Sequence, residues 1–250
     1  MKKLSLLFFI FYLFISSAAA QSSILTVRIK GMRCNECGHK VKNVLRKNPG
    51  VGTMEFDYER RTVKIAYDAQ KTCTDSIYSA LERTGRYKAI PYDPTEVIRR
   101  GFGQRIADMH CQKCYDRIEK RLSQLEGIDS MAPHLDKQYI FIRYDANRTD
   151  RATIRNILNE LGFTPCNFYS DPKIGFGYYL LPENQANEET IETVLALDGV
   201  EDVNVNAKRK TLAYTFFKDE TNAERLYSEI LKAGIKAKEP KPHECKEEKK

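Results

Sequence analysis

The 250-residue sequence predicts an α+β fold: three tandem ferredoxin-like βαββαβ domains, each an antiparallel sheet with two helices on one face. Three observations carry this reading: an internal repeat, a switch of hydrophobic periodicity that recurs in one order within each copy, and turn residues at matching positions. Shifted by 77 positions, Gly31-Met32-Arg33-Cys34-Asn35-Glu36-Cys37 falls on Asp108-Met109-His110-Cys111-Gln112-Lys113-Cys114. Without a gap, the same shift carries Val41 and Leu45 onto Ile118 and Leu122, Gly50-Val51 onto Gly127-Ile128, Tyr67-Asp68 onto Tyr144-Asp145, and Gly85 onto Gly162. A further shift of 72 carries Gly127-Ile128 onto Gly199-Val200, Tyr144 onto Phe216, Gly162 onto Gly234 and Met109 onto Leu181. There Cys111 becomes Glu183 and Cys114 becomes Ala186, so the third copy keeps the apolar skeleton and lacks the thiols.

Within the first copy, Ile24-Leu25-Thr26-Val27-Arg28-Ile29 alternates and is rich in branched residues, as a half-buried strand is. The cysteine loop follows, and Val41, Val44 and Leu45 then stand at helical spacing until Pro49-Gly50 stops the helix. Residues 54–58 and 62–67 alternate as the two arms of a hairpin around Glu59-Arg60-Arg61. Ile77, Ala80 and Leu81 mark a second helix that Gly85 ends. Tyr87 to Pro91 reads as an edge strand, where a closing proline is tolerated. In this topology the first loop and the end of the second helix share one edge. Cys34 and Cys37 are therefore expected beside the Gly85–Tyr87 turn, Cys111 and Cys114 beside Gly162–Phe163, and Cys73 at the opposite edge.

The expected domains span residues 22–93, 101–170 and 173–238, with linkers at Pro94–Arg100 and Ser170-Asp171-Pro172. Residues 239–250 form a charged tail with too little apolar content to fold. Residues 1–20 read as an export signal: Lys2 and Lys3, an apolar run from Leu4 to Ile15, then small residues up to Ala20. That run is short of the roughly 20 residues a membrane span needs. The expectation is a periplasmic or secreted protein, cleaved after Ala20, with no stable membrane span.

The formal charge of +7 falls to about +5 once Lys2 and Lys3 leave with the signal. With acidic and basic residues interleaved and no tryptophan, no basic stripe suited to nucleic acid stands out. Cys34, Cys37, Cys73, Cys111, Cys114, Cys166 and Cys245 make an odd total, which argues against a simple disulfide framework. No nucleophile–base pair, paired acids or phosphate-cradling glycine loop emerges, and a non-enzyme is expected.

Each cysteine pair spans the end of a strand and the first turn of a helix, where two sulfurs converge and the helix dipole favours thiolate. Paired thiolates select soft ions, and two sulfurs suit an ion content with few ligands, whereas zinc usually takes four. Cu(I) leads, with Hg(II), Ag(I) and Zn(II) as alternatives, and up to two ions per chain are expected at Cys34, Cys37, Cys111 and Cys114.

Gly31-Met32-Arg33-Cys34-Asn35-Glu36-Cys37, followed by Val41, Leu45 and Gly50-Val51, resembles the heavy-metal-associated domain family. The resemblance covers about 70 residues of each of the first two copies and only the skeleton of the third. It implies the βαββαβ fold, as in copper chaperones, copper-transporting ATPase domains and periplasmic mercury-binding proteins. By position it makes the four loop cysteines metal ligands, places Met32 and Met109 beneath the loops as support, and sets Tyr87 and Phe163 at the aromatic position near the metal. Arg86 intervenes before Tyr87, and Asp108 stands where the family has glycine. His110 is read as a solvated loop residue.

Other readings of the same residues stay open: a thioredoxin-like redox pair, or a structural disulfide within each loop. Cys73 and Cys166 are expected to be small buried or half-buried residues. His243-Glu244-Cys245 forms a weaker candidate metal hook, and Asn147-Arg148-Thr149 a coincidental glycosylation pattern. The expected function is a metal carrier or chaperone working by thiolate exchange with a membrane metal transporter or acceptor protein. The alternative is a metal- or redox-responsive interaction or sensor protein that uses its repeats as docking domains.

Overall fold

The computed structural model describes residues 22–32 and 35–240. The expected signal, Cys34, and residues 241–250 of the tail, with His243 and Cys245, lie outside the described residues. The chain forms two compact units, residues 1–95 and 96–250.

In the first unit, β1 (Ser22–Lys30), α1 (Asn35–Leu45), β2 (Val51–Asp57), β3 (Thr62–Asp68), α2 (Thr74–Glu82) and β4 (Lys88–Pro91) follow in order. The sheet runs β2-β3-β1-β4, and every pairing is antiparallel. Side chains alternate across a strand, so Val27 and Ile29 of β1 and Val63 and Ile65 of β3 point to one face. There they meet Val41 and Leu45 of α1 and Ile77 and Leu81 of α2, all fully buried. Each such side chain contributes about 1.5–3 kcal/mol by leaving water, which makes this layer the main source of the unit's stability.

The second unit holds two such layers. Its first sheet runs β6-β7-β5-β8, from β5 (Arg99–Ile106), β6 (Ile128–His134), β7 (Tyr139–Asp145) and β8 (Pro165–Phe168). Helices α3 (Gln112–Leu122) and α4 (Arg151–Glu160) accompany it. The second sheet runs β10-β11-β9, from β9 (Ile174–Leu180), β10 (Val200–Asn206) and β11 (Thr211–Phe217), with α5 (Glu188–Leu195) and α6 (Ala223–Lys232).

Backbone conformation repeats in register with the sequence. Gly50, Gly127 and Gly199 have φ of 85°, 96° and 79°, and the hairpin residues Arg61, Gln138 and Lys210 have φ of 55°, 52° and 56°. At Gly127 an added Cβ would stand 2.7 Å from the Arg148 side chain, so both the left-handed backbone and the space require glycine there. The N-cap of the second helix is likewise equivalent in each copy: Cys73, Asp150 and Asn222. Asp150 and Asn222 accept backbone N–H bonds from Thr153 and Arg225, while Cys73 makes no cap bond.

Three expectations need correction. Strand β5 begins inside the stretch read as a linker, because Ile98 donates its backbone N–H to the Asp145 carboxylate (2.8 Å) and Arg99 pairs with Asp145. The third copy's last strand is reduced to one antiparallel bridge, Leu180 with Lys238, beyond which Pro240 has no N–H to offer. Cys73 is exposed rather than buried, since the N-cap position points it outward.

The second and third copies are joined by a polar seam. On β10, Val203 turns toward α5 and α6, so Asp202, Asn204 and Asn206 line the face that carries no helices. Arg155 of α4 holds both carboxylate oxygens of Asp202 at 3.0 and 2.9 Å and donates to the Val203 carbonyl at 3.0 Å. Asn159 and Asn204 exchange side-chain hydrogen bonds at 3.3 and 2.9 Å. Asn206 donates to the carbonyls of Asn159 (2.9 Å) and Phe163 (2.6 Å), and the Thr164 and Thr211 hydroxyls bond to each other. Each of these groups would be costly to bury unpaired, and the reciprocal pairing removes that penalty.

Candidate metal site

Cys111 occupies the N-cap position of α3 in extended conformation, and its sulfur makes no cap bond. Cys114, one turn on, donates its backbone N–H to the Cys111 carbonyl at 3.0 Å. The helical turn brings the two sulfurs, which form no disulfide, to 3.4 Å. At a metal–sulfur bond of about 2.3 Å, one ion can hold two sulfurs up to about 4.6 Å apart, so this pair lies within reach of a single soft ion. Met109 is fully buried beneath the loop. The helix's positive end favours thiolate, but burial outweighs it and raises the Cys114 thiol above its ordinary range; the neighbouring Cys111 adds to the rise. A bound cation would have to displace that proton.

The loop's entry differs between copies as the sequence does. Gly31 has φ of 91°, and an added Cβ would stand 2.4 Å from the Arg86 carbonyl, which places the first loop directly against the Gly85–Tyr87 turn. In the second copy Asp108 replaces that glycine. It is buried, and its carboxylate accepts hydrogen bonds from the Thr164 backbone N–H (3.2 Å) and hydroxyl (3.1 Å), tying loop to turn through side chains instead of close backbone approach. Burial raises the Asp108 carboxyl above the usual carboxylate range, and the Thr164 bonds oppose that rise.

In the first unit Cys37 is buried in the first turn of α1 and Met32 is buried below it. An Arg86 guanidinium nitrogen stands 4.0 Å from the Cys37 sulfur, and Arg86 lies over the Tyr87 ring at 5.6 Å. The Tyr87 hydroxyl is buried with no well-formed hydrogen bond; burial first, and the Cys37 thiol second, raise this phenol.

His110 is exposed, its Nδ1 3.3 Å from the Gln138 side-chain nitrogen, in keeping with a solvated loop residue. Among the described residues, no group of three His, Cys, Asp or Glu converges as a metal cluster would. Cys73 lies in the first unit, exposed, 3.4 Å from the Ser76 hydroxyl. Cys166 is fully buried on β8. Where the third copy lacks cysteines, Gln185 bridges the same two segments: it donates to the Gly234 carbonyl (2.8 Å) and accepts from the Lys236 backbone (2.7 Å).

Sequence reasoning missed the surroundings of the second loop. A cleft of about 570 Å³ opens beside Cys114, walled on one side by Arg117 and Phe163 and on the other by Tyr178, Arg209 and Lys238 of the third copy. Arg117 lies over the Phe163 ring at 5.0 Å and donates to the Leu161 carbonyl at 2.6 Å.

The second copy is thus a small domain that presents a cysteine pair at the start of a helix. Residues 26–86 and 105–164 match the model of the heavy-metal-associated domain, and both segments belong to that family. The chain is 23% identical over 139 residues to the copper-exporting P-type ATPase of Bacillus subtilis, covering 56% of this chain and 16% of that protein. It is 26% identical over 165 residues to copper-transporting ATPase 1 of Rattus norvegicus, covering 56% of this chain and 11% of that one. It thus spans less than a fifth of either relative. Among solved structures it is similar to the N-terminal soluble domains of Bacillus subtilis CopA (22% identity, 61% of this chain, 98% of that one, TM-score 0.28). It is also similar to oxidized MerP of Ralstonia metallidurans CH34 (25% identity, 29% and 99%, TM-score 0.27).

Proposed function

We propose that this chain is an exported, non-enzymatic carrier of a soft metal ion, with Cu(I) as its cargo. Cys34 with Cys37, and Cys111 with Cys114, are the ligand pairs; Hg(II), Ag(I) and Zn(II) are the competing cargoes. The observation that carries the reading is the pair of cysteine sulfurs 3.4 Å apart at the head of α3, with Met109 buried nearby. Two thiolates bind a soft ion firmly while leaving coordination positions open, and an incoming thiolate can then replace one sulfur at a time. Helix α3 orients the sulfurs, Met109 fills the space under the loop, and the Asp108–Thr164 bonds fix the loop against its neighbouring turn. In the first unit the Arg86 guanidinium near Cys37 supplies a positive charge against which a metal dithiolate's negative charge rests.

The domains of copper ATPases among the relatives support a membrane metal transporter as the acceptor. The leader-like first 20 residues support action in the periplasm or outside the cell. Edman sequencing or intact mass of protein recovered outside the cytoplasm tests this, with a mature chain beginning at Gln21 expected. Anaerobic titration of the reduced mature protein with Cu(I), Zn(II) and Hg(II) against a competing chelator tests the cargo. The expected result is two tightly held Cu(I) per chain, which pass to a second cysteine-pair domain on mixing. Tight binding without transfer would replace the carrier by a sensor whose repeats serve as docking domains.

A further inference from the structure

We propose that the cleft between the second and third copies is a binding site for a small anionic thiol compound, which delivers the soft ion to Cys111 and Cys114. This rests on the metal reading above and adds the class of donor to it.

The cleft's volume, about 570 Å³, lies within the range of roughly 300–1,000 Å³ usual for small-molecule sites. Cys114 opens into it beside Phe163 and Tyr178, and the aliphatic stem of Arg209 passes 3.4 Å from where a Cβ on Gly162 would stand. Arg117, Arg209 and Lys238 surround this floor with positive charge. Arg117 is already engaged with the Leu161 carbonyl and the Phe163 ring. Arg209 acts on the Asp108 carboxyl only through space, and both Arg209 and Lys238 are exposed, so their head groups can turn to a ligand in the cleft. Of the two acids on the walls, Asp108 is buried, bonded to Thr164 and partly offset by Arg209, and Glu239 stands at the rim.

The cleft is also built in advance. Asn206 holds the Phe163 carbonyl, Thr211 meets Thr164, and Thr164 holds Asp108, so one chain of hydrogen bonds fixes both walls and the loop that ends at Cys111. A preformed pocket with exposed cations beside a thiol fits a small ligand that carries both carboxylates and a sulfur, such as a thiol peptide with a carboxylate on either side of its cysteine. Loading is ligand exchange with no change of oxidation state. A cysteine sulfur forms its bond to the metal as the donor's metal–sulfur bond breaks, the cysteine's proton passes to the departing thiolate, and the second cysteine displaces any remaining donor sulfur likewise.

Two measurements on the full reduced chain test this. Calorimetric titration of the metal-free protein with S-methylglutathione, which has two carboxylates and no thiol, should show saturable binding. Its dimethyl ester, and the R209Q/K238Q variant with the diacid, should each bind roughly tenfold more weakly, about the worth of one charge-assisted hydrogen bond. Both substituted side chains are exposed, so the variant keeps its fold. In the C34S/C37S chain, Cu(I) should transfer faster from glutathione than from neutral 2-mercaptoethanol, and R209Q/K238Q should erase the difference. Equal binding of diacid and ester, or equal transfer rates, overturns the cleft proposal while Cu(I) uptake stands. Absence of chelator-resistant Cu(I) in the C34S/C37S chain overturns the metal reading of the second loop, and the loading role with it.

Discussion

Asn206 of the third copy donates a 2.6 Å hydrogen bond to the carbonyl of Phe163, the aromatic residue in the turn beside the second copy's cysteine loop. The same amide nitrogen reaches the Asn159 carbonyl at 2.9 Å, and Asn206 is buried. The thiol-free copy is therefore a structural partner of a cysteine loop that it does not itself possess. Replacing Asn206 by Ala takes the side-chain donor from the Phe163 carbonyl and the acceptor from the Arg209 backbone N–H, while the Asn159 carbonyl keeps the Gly162 N–H. The expected cost is about 1–3 kcal/mol of unfolding free energy, read as a lower midpoint in urea. A change under half a kcal/mol would mean that water or a shifted backbone replaces the amide at little cost.

Cys166 gives the protein an alkaline weakness. Burial pushes its thiol up to about 12, above the ordinary value of 9.0. Because the folded pKa is raised, the neutral thiol's contribution to stability is complete below about pH 9 and is lost as pH climbs toward 12. The loss is up to about 1.4 kcal/mol per pH unit for this one proton. Thermal melts from pH 7 to 11 should show the stability difference between the native chain and Cys166→Ala shrinking above pH 9. A difference that does not change with pH would contradict this.

Cys73 behaves in the opposite way. It is exposed, and the hydrogen bond with the Ser76 hydroxyl lowers its thiol below the ordinary range. Brief treatment with iodoacetamide near pH 7 followed by peptide mass spectrometry should find Cys73 modified and Cys166 intact, with Cys166 labelled only after unfolding. Early labelling of Cys166 would show that β8 and the seam above it open readily.

Much of the fold could be read in advance because its signals are local and repeated. Three sets of left-handed positions, among them Gly50, Gly127 and Gly199, return at the same shifts as the apolar skeleton. The first loop and the Gly85–Tyr87 turn also meet as the topology requires. The reading failed where tertiary context decides. Asn204, Asn206 and Thr211 sit at alternate strand positions that look solvent-facing in sequence, yet they are buried against the second copy. The docking of two copies, and the cleft it makes, therefore left no periodic trace. Cys73, expected to be a small buried or half-buried residue, is exposed because of the helix position it holds. Aligning it with Asp150 and Asn222 marks an N-cap, where the side chain stands outside the helix.

The measurement that bears most directly on the central claim is native mass spectrometry of the reduced chain after anaerobic Cu(I) loading under a competing chelator. It would compare the native sequence with C34S/C37S, C111S/C114S and the fourfold variant. Retention of two, one, one and no Cu(I) ions, respectively, is what two independent cysteine-pair sites predict. Retention of Cu(I) by the fourfold variant, or none by the native chain, would contradict the assignment of these four cysteines as the carrier's ligands.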